Sequence, residues 1–367
     1  MINRLVYLEN AKVLADSGEV TVDITVRDPI TRLWFYMSAT NGGTTNAANP
    51  LGDCIDAAEL IDGSQVLWSL DGRQALAHHT YRLGRMPKQV ISELPSNPNE
   101  WHSAMHFGRF PGDPQYAFDP TRFVNPQFRF KWNLANVNAV GASGYLTATG
   151  RLTVVAEVLD GVPAPLGMLC AKEHYTWVTS SGGVEYIDLP RDLHYRAMMV
   201  RAYKAATYTN GVVSKLKLSC DGGKVIPFEI DMFDLLFLMA ADGRVFDYRH
   251  VFHAGSGYTL YPLLKYEENL ELISEDIADA VFMYPNYGYG SQTLTLEVAG
   301  VDYSPRCNIG AHVTGMCPLG FVWLPFGQPD DPSTWFDAPS FGSLRLEATG
   351  AVATGAGEIV LEQLRPY

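Results

Sequence analysis

The sequence predicts an all-β protein of two tandem eight-stranded jelly rolls, with short helices and a larger insertion in the second. Three observations carry this. The chain repeats itself in three blocks that keep their order, its apolar residues alternate with period two over short runs, and turn residues punctuate those runs about every ten to fifteen residues. At 367 residues the chain is longer than one ordinary domain, and 33 Gly and 22 Pro make it turn-rich.

The first block reads SGEVTVDITVRDPITR (17–32) against SGGVEYIDLPRDLHYR (181–196). Ser17/Ser181, Gly18/Gly182, Val20/Val184, Arg27/Arg191, Asp28/Asp192 and Arg32/Arg196 are identical at a constant offset. In the second block DGSQVLWSLD, from Asp62, matches DGGKVIPFEID, from Asp221. Asp62/Asp221, Gly63/Gly222 and Val66/Val225 agree and, after one inserted residue, so do Asp71/Asp231. The third block sets PGDPQYAFDPTRF (111–123) against PDDPSTWFDAPSF (329–341), with Pro111/Pro329, Asp113/Asp331, Pro114/Pro332, Phe118/Phe336, Asp119/Asp337 and Phe123/Phe341 shared. Each third block runs into an alternating strand, PQFRFKWNL or SLRLEATG, and each copy closes on an apolar strand, RLTVVAEVL (151–159) or GEIVLEQL (357–364). The offset rises by 58 between the second and third blocks. The predicted domains are therefore 1–163 and 164–367, joined near GVPAP (161–165), with an insertion of that size within 232–328.

Within each copy, VTVDITV alternates as a half-buried strand does, while RLWFYMS and RAMMVRAY are apolar enough for burial on both faces. Helix signals are few. Asp231 can cap MFDLLFLMAAD and Gly243 can end it; its apolar residues surround the axis, which predicts burial between other elements. GRQALAHH, after Asp71, is its counterpart, and His78–His79 would sit at its C-terminal end, where cations suit the helix dipole. The insertion carries LLKYEENLELISEDIADA (263–280) and MYPNYGYGSQ (283–292). Its acids Glu267, Glu268, Glu271, Glu275, Asp276 and Asp279 read as a solvated face without calcium-loop spacing.

No catalytic signature emerges. Nucleophile-elbow, P-loop, dinucleotide-binding and HEXXH motifs are all missing. His102 and His106 have i,i+4 spacing, which on a helix would place two ligands on one face, but no Glu lies between them and Pro111–Gly112 follow closely; ordinary packing is the better reading. Gly255-Ser256-Gly257 lacks a strand-turn-helix frame and reads as a loop. Cys307 and Cys317 read as small buried hydrophobes. Asp113-Pro114 and Asp331-Pro332 read as turn initiators, and Phe118, Phe123, Phe336 and Phe341 as core anchors; duplication favours structural roles for all of them. Forty acids make any glycosidase-like carboxylate pair arguable and none specific. No catalytic, cofactor or metal site is assigned.

Charge narrows the class. The balance of 27 basic to 40 acidic residues, net −13, argues against a general nucleic-acid binder. Charged residues are only 18% of the chain, and such charge-poor surfaces suit burial against other copies. MINRLVYLENAKVL carries no signal-peptide pattern, and no apolar run exceeds Leu235–Ala241. Five scattered cysteines, without CxxC, and no glycosylation acceptor predict reduced thiols in a cytoplasmic setting.

With its duplication and segments such as DGSQVLWSLDG, FGRFPGDPQYAFDP, YIDLPRDLHYRAMMVRAY and DGGKVIPFEIDMFDLL, the chain resembles the double jelly-roll major capsid proteins of tailless icosahedral viruses, especially bacteriophages. The resemblance implies a non-enzymatic structural protein of the virion, assembled in the host cytoplasm. Three chains would make a pseudo-hexagonal tile of six upright rolls, packed against neighbouring trimers and penton or minor capsid proteins, in a family that often encloses a membrane. The insertion would be an outward tower. Only about sixteen residues precede the first repeat, fewer than in relatives with a long N-terminal arm. The alternatives are a tandem jelly-roll glycoamidase or lectin, which the 7 Trp, 19 Tyr and 17 Phe would suit, and another shell or spike component.

Overall fold

The computed structural model describes residues 2–92, 94–138, 143–204, 207–242, 246–254, 269–274, 307–315 and 317–367. The first roll comprises β1 (Ile2–Val13), β2 (Ser17–Asp23), β3 (Ile30–Thr40), β4 (Ile55–Asp62), β5 (Gln65–Leu70), β6 (Pro98–His106), β7 (Pro126–Asn133) and β8 (Arg151–Asp160). They form two antiparallel arrays, β1-β8-β3-β6 and β2-β7-β4-β5. The second half continues with β9 (Gly167–Val178), β10 (Val184–Asp188), β11 (His194–Tyr203), β12 (Val213–Cys220) and β13 (Val225–Asp231). After β14 (Phe246–Ala254), β15 (Asn269–Ser274) and β16 (Cys307–Gly315) come β17 (Phe321–Pro325), β18 (Leu344–Gly350) and β19 (Ala356–Pro366). Without β14–β16, which make a small sheet of their own, the order is β9-β19-β11-β17 and β10-β18-β12-β13. The two halves therefore share one topology, with the first strand beside the last and the third between the last and the sixth. The extra length of the second roll lies between β13 and β17, where residues 232–320 replace the 71–97 of the first.

Alternation explains the strands. In β7, Phe128, Phe130 and Trp132 point inward, and Phe35 of β3 meets Phe128 at a ring distance of 5.3 Å. Arg129 and Lys131 point outward, where both reach Glu59 of β4, at 2.6 and 3.6 Å. In β18 the inward positions are Leu344, Leu346 and Ala348, and outward Arg345 pairs with Asp188 at 2.8 Å. One chain pattern thus builds both a dry interior and a charged outer ladder. The two strands expected to be buried on both faces differ. β11 is, but β3 alternates between buried and half-buried positions.

A helix follows the fifth strand of each roll. α1 (Gly72–Leu83) begins on a capping box: Asp71 accepts from the Gln74 backbone N–H and the Gln74 side chain accepts from that of Asp71. It ends at Gly84, whose φ of 68° suits a residue without Cβ. A single turn, α2 (Thr209–Val212), leads into β12, and α3 (Met232–Ala241) follows β13. Two expectations need correction. α1 extends past His79 to Leu83, so His78 and His79 are interior residues of the helix, and both are buried. α3 buries Met232, Leu235, Leu236 and Met239, while Phe233, Phe237 and Leu238 stay exposed: within this chain one face suffices to close the roll, so apolar residues all round do not mean burial all round. His102 and His106 lie on the strand β6, where Pro98–His106 pairs with β3, so the i,i+4 geometry of a helix does not arise. Gly243, the 255–257 loop and the 283–292 loop lie outside the described residues, as do Glu267, Glu268, Glu275, Asp276 and Asp279. Among the described residues no helix is long and apolar enough to cross a membrane.

Candidate functional site

Where the rolls meet, β5 touches β9 through one parallel bridge, Ser69 to Lys172, and two four-stranded arrays become one eight-stranded sheet. Side chains carry most of this seam. α1 lies on the outer face of β9-β19-β11-β17. Gln74 donates to Glu173 and Glu358, Tyr81 donates to the Phe321 carbonyl and stacks on Trp323 at 5.4 Å, and Arg82 reaches Glu362. This cover explains why β11 is buried on both sides.

The centre of the seam is charged and dry. The Glu362 carboxylate lies 3.1 Å from Arg82 Nη1 and 3.0 Å from Arg196 Nη1, with His78 Nε2 at 3.7 Å. Burial pushes this carboxyl up, but the Arg82 and Arg196 guanidiniums outweigh it and hold it well below the usual carboxylate range. Burial also pulls Arg82 down to about 10. Beside them, His79 packs edge-on to His106 at 4.9 Å, and His78 lies 6.3 Å from His106. Desolvation, reinforced by neighbouring imidazoles and guanidiniums, pushes His79 down to about 3 and His106 well below its ordinary value. His78 is lowered by burial, with Glu362 opposing. These imidazoles are neutral at pH 7, so the expectation that His78 and His79 serve as cations at a helix end is corrected. His79 Nδ1 and His106 Nε2 have no hydrogen-bond partner.

The first roll repeats the central ion pair with a single guanidinium. Arg32 of β3 holds Glu157 of β8 at 2.6 Å, as Arg196 of β11 holds Glu362 of β19. Both acids are buried, and the difference lies in the cations: Glu362 faces two guanidiniums, Arg82 and Arg196, where Glu157 faces Arg32 alone. The Arg32/Arg196 match was visible in the first repeat block. Its acidic partner was missed, although a Glu stands in both closing strands, RLTVVAEVL and GEIVLEQL.

The remaining motif residues make contacts within their turns and cores. Asp113 is buried and takes Arg109 Nε at 2.7 Å together with the backbone N–H groups of Arg109 and Gln115. Asp331 caps the turn Pro332–Thr334 through Ser333, and Asp119 caps Pro120–Arg122 through Thr121. Asp337 makes no side-chain cap. Phe118 stacks on Phe123 at 5.1 Å and Phe336 on Phe341 at 5.3 Å, the same pair in both rolls. His102 stacks on Tyr36 at 5.0 Å. Cys317 is buried; the Cys307 side chain lies outside the described residues. Among the described residues no group of three or more His, Cys, Asp or Glu is arranged to hold a metal ion.

No family model matches the chain, and no curated sequence does. Solved structures do. The chain is similar to the major capsid protein of bacteriophage PM2, with 10% identity over 100% of this chain and 98% of that one and a TM-score of 0.56. It is similar to the PBCV-1 virus capsid, at 12% identity over 99% and 93% with a TM-score of 0.59. The STIV major capsid protein matches at 10% identity over 100% and 98%, with a TM-score of 0.61. At these identities the likeness is one of fold: the chain has the double jelly-roll fold of these capsid proteins, end to end.

Proposed function

We propose that this chain is a major capsid protein, a non-enzymatic building block of an icosahedral virus shell. The carrying observation is that two complete rolls of one topology stand side by side, fixed by a dry seam, along the whole length that PM2 and STIV capsid proteins also span. A rigid pair of like rolls is a tile, and a tile needs no reaction centre. Three copies would form a pseudo-hexagonal unit that meets neighbouring trimers and penton or minor capsid proteins in the virion, after assembly in the host cytoplasm. The net charge of −13 would keep free units apart at low salt and let them approach as salt screens it. Weak contacts suffice because each unit makes several.

Sedimentation and negative-stain images of the purified chain test this. Three times the 40.5 kDa chain mass, with hexagonal particles or shells, is the expected result. A 40.5 kDa monomer with no hexagonal object at any salt overturns the reading.

A further inference from the structure

Helix α1 is wedged between the rolls. One side rests on the first roll, where His79 meets Trp34 of β3 at a ring distance of 5.4 Å and His106 of β6 at 4.9 Å. The other rests on the second roll, where His78 lies 6.3 Å from Trp323 and 3.7 Å from Glu362. His78, His79 and His106 are 1%, 1% and 3% exposed, and His79 Nδ1 and His106 Nε2 have no hydrogen-bond partner among the described residues. One buried histidine with satisfied nitrogens is ordinary packing; three together, two of them with bare nitrogens, are not.

The charges around this cluster are unbalanced. Arg82 stands on α1 and Arg85 just past it, Arg32 on β3 and Arg196 on β11. Against these guanidiniums the imidazoles meet one carboxylate, Glu362, which Arg82 and Arg196 already share. Glu157 of β8 is held by Arg32 at 2.6 Å and Asp113 by Arg109 at 2.7 Å, while Asp330 is exposed. β5 carries no ionisable side chain, and Glu59 of β4 is held by Arg129. Asp53, Glu173 and Glu358 lie toward the other end of α1, beside Arg73 and Gln74. A proton added to His79 or His106 therefore enters a dry region that already holds more cation than anion.

The two ends of α1 are tied differently. Its start is fixed by the Asp71–Gln74 capping box and by the bonds from Gln74 to Glu173 and Glu358. From His78 onward it is held by the imidazoles, by Arg82 and by Tyr81, and it stops at Gly84. The rolls are also joined without it. Ser69 bridges Lys172, and beside the linker Ala117 donates to the Gly167 carbonyl at 3.0 Å and Leu169 to that of Phe107 at 2.8 Å.

We propose that α1 is an acid-released clasp: as His78, His79 and His106 take up protons, its second half, residues 78–83, lifts from the seam while the strands of both rolls stay paired. An imidazole that is refused a proton under the clasp and regains its ordinary value outside it multiplies the open fraction about tenfold between pH 7.5 and 5.5. His79 and His106 together give about a hundredfold. His78 adds less, because Glu362 favours its charged form, and Asp71 sits at the end that stays in place. The clasp belongs to a single chain and does not rest on the shell reading.

Hydrogen exchange of the full chain, read by mass spectrometry at pH 7.5 and 5.5 and corrected for the intrinsic rate at each pH, tests this. Protection over residues 78–83 is expected to fall about a hundredfold at pH 5.5, while β11 and β19 keep theirs. In His79→Leu/His106→Leu the fall is expected to shrink to about threefold or less. Where that variant disturbs the fold, His79→Gln alone serves, with a fall about tenfold smaller than the parent's. A helix that keeps its protection at pH 5.5 overturns the proposal. So does one that loses it together with β11 and β19, or a histidine variant that falls as far as the parent.

Discussion

Acid should loosen the seam, and His79 allows the size of the effect to be worked out. Its imidazole titrates at about 3 in the folded chain against an ordinary value of 6.5. Below pH 6.5 the unfolded chain takes up a proton that the folded chain refuses. The stability due to this group is thus complete above 6.5 and drains away as pH falls toward the folded value. One unit below 6.5, about ten unfolded chains in eleven carry that proton, which costs the folded state about 1.4 kcal/mol. His78 and His106, lowered by the same burial, act in the same direction. Asp71 opposes them. Burial beside Glu358 raises it to about 6, so the folded chain takes up a proton there as pH falls, which returns about 0.8 kcal/mol between pH 7.5 and 5.5. Urea unfolding of the chain and of His79→Leu at those two pH values, at one protein concentration, isolates the histidine. The variant should lose about 1.4 kcal/mol less than the parent on going from 7.5 to 5.5. Equal losses in both would refute the premise that His79 is held neutral by burial in the seam.

Three further outcomes follow from the geometry. Glu362→Gln leaves Arg82 and Arg196 buried without their anion and should cost about 3–5 kcal/mol, while Glu157→Gln leaves only Arg32, the more exposed of these guanidiniums, and should cost less; urea midpoints of the two variants check this. Asp113→Ala removes a buried partner of Arg109 and of two backbone N–H groups, and should lower the melting temperature more than Asp331→Ala, whose exposed cap is worth about 0.5–2 kcal/mol. Phe35→Ala opens a cavity against Phe128 and Phe130 and should destabilise by about 3–5 kcal/mol in the same assay.

Much of the fold was legible because both rolls had to meet the same local demands. Phe118 stacks on Phe123 and Phe336 on Phe341, so the aromatic spacing recurs in the chain. Asp113 and Asp331 each accept from the backbone N–H two residues on, across a Pro, so Asp-Pro recurs. The helix after Asp71 and after Asp231 was legible for the same reason. What escaped was anything decided by a distant neighbour. Nothing near His78 and His79 in sequence announces that Trp323 and Glu362 will cover them. Local reading therefore placed them as cations at the end of a short helix. The α3 pattern misled in the other direction. Seven apolar residues in a row look like a helix buried on all sides, but which side meets the roll is not a property of the helix alone. RLWFYMS and RAMMVRAY look alike as sequences; they differ in burial because α1 covers the outer face of one and reaches the other only at Trp34.

The connection between the fifth and sixth strands has a consequence for how such chains diversify. Residues 71–97 span it in the first roll and 232–320 in the second, yet the flanking strands hold the same places in their sheets. The entropy of closing a loop grows only with the logarithm of its length, so a connection roughly three times longer costs about 1 kcal/mol. That is less than one core side chain contributes. Selection can thus lengthen, shorten or replace this segment almost independently of the roll beneath it. It is the part of the molecule where lineages sharing this architecture should differ most in size, while the strand order on either side stays constant.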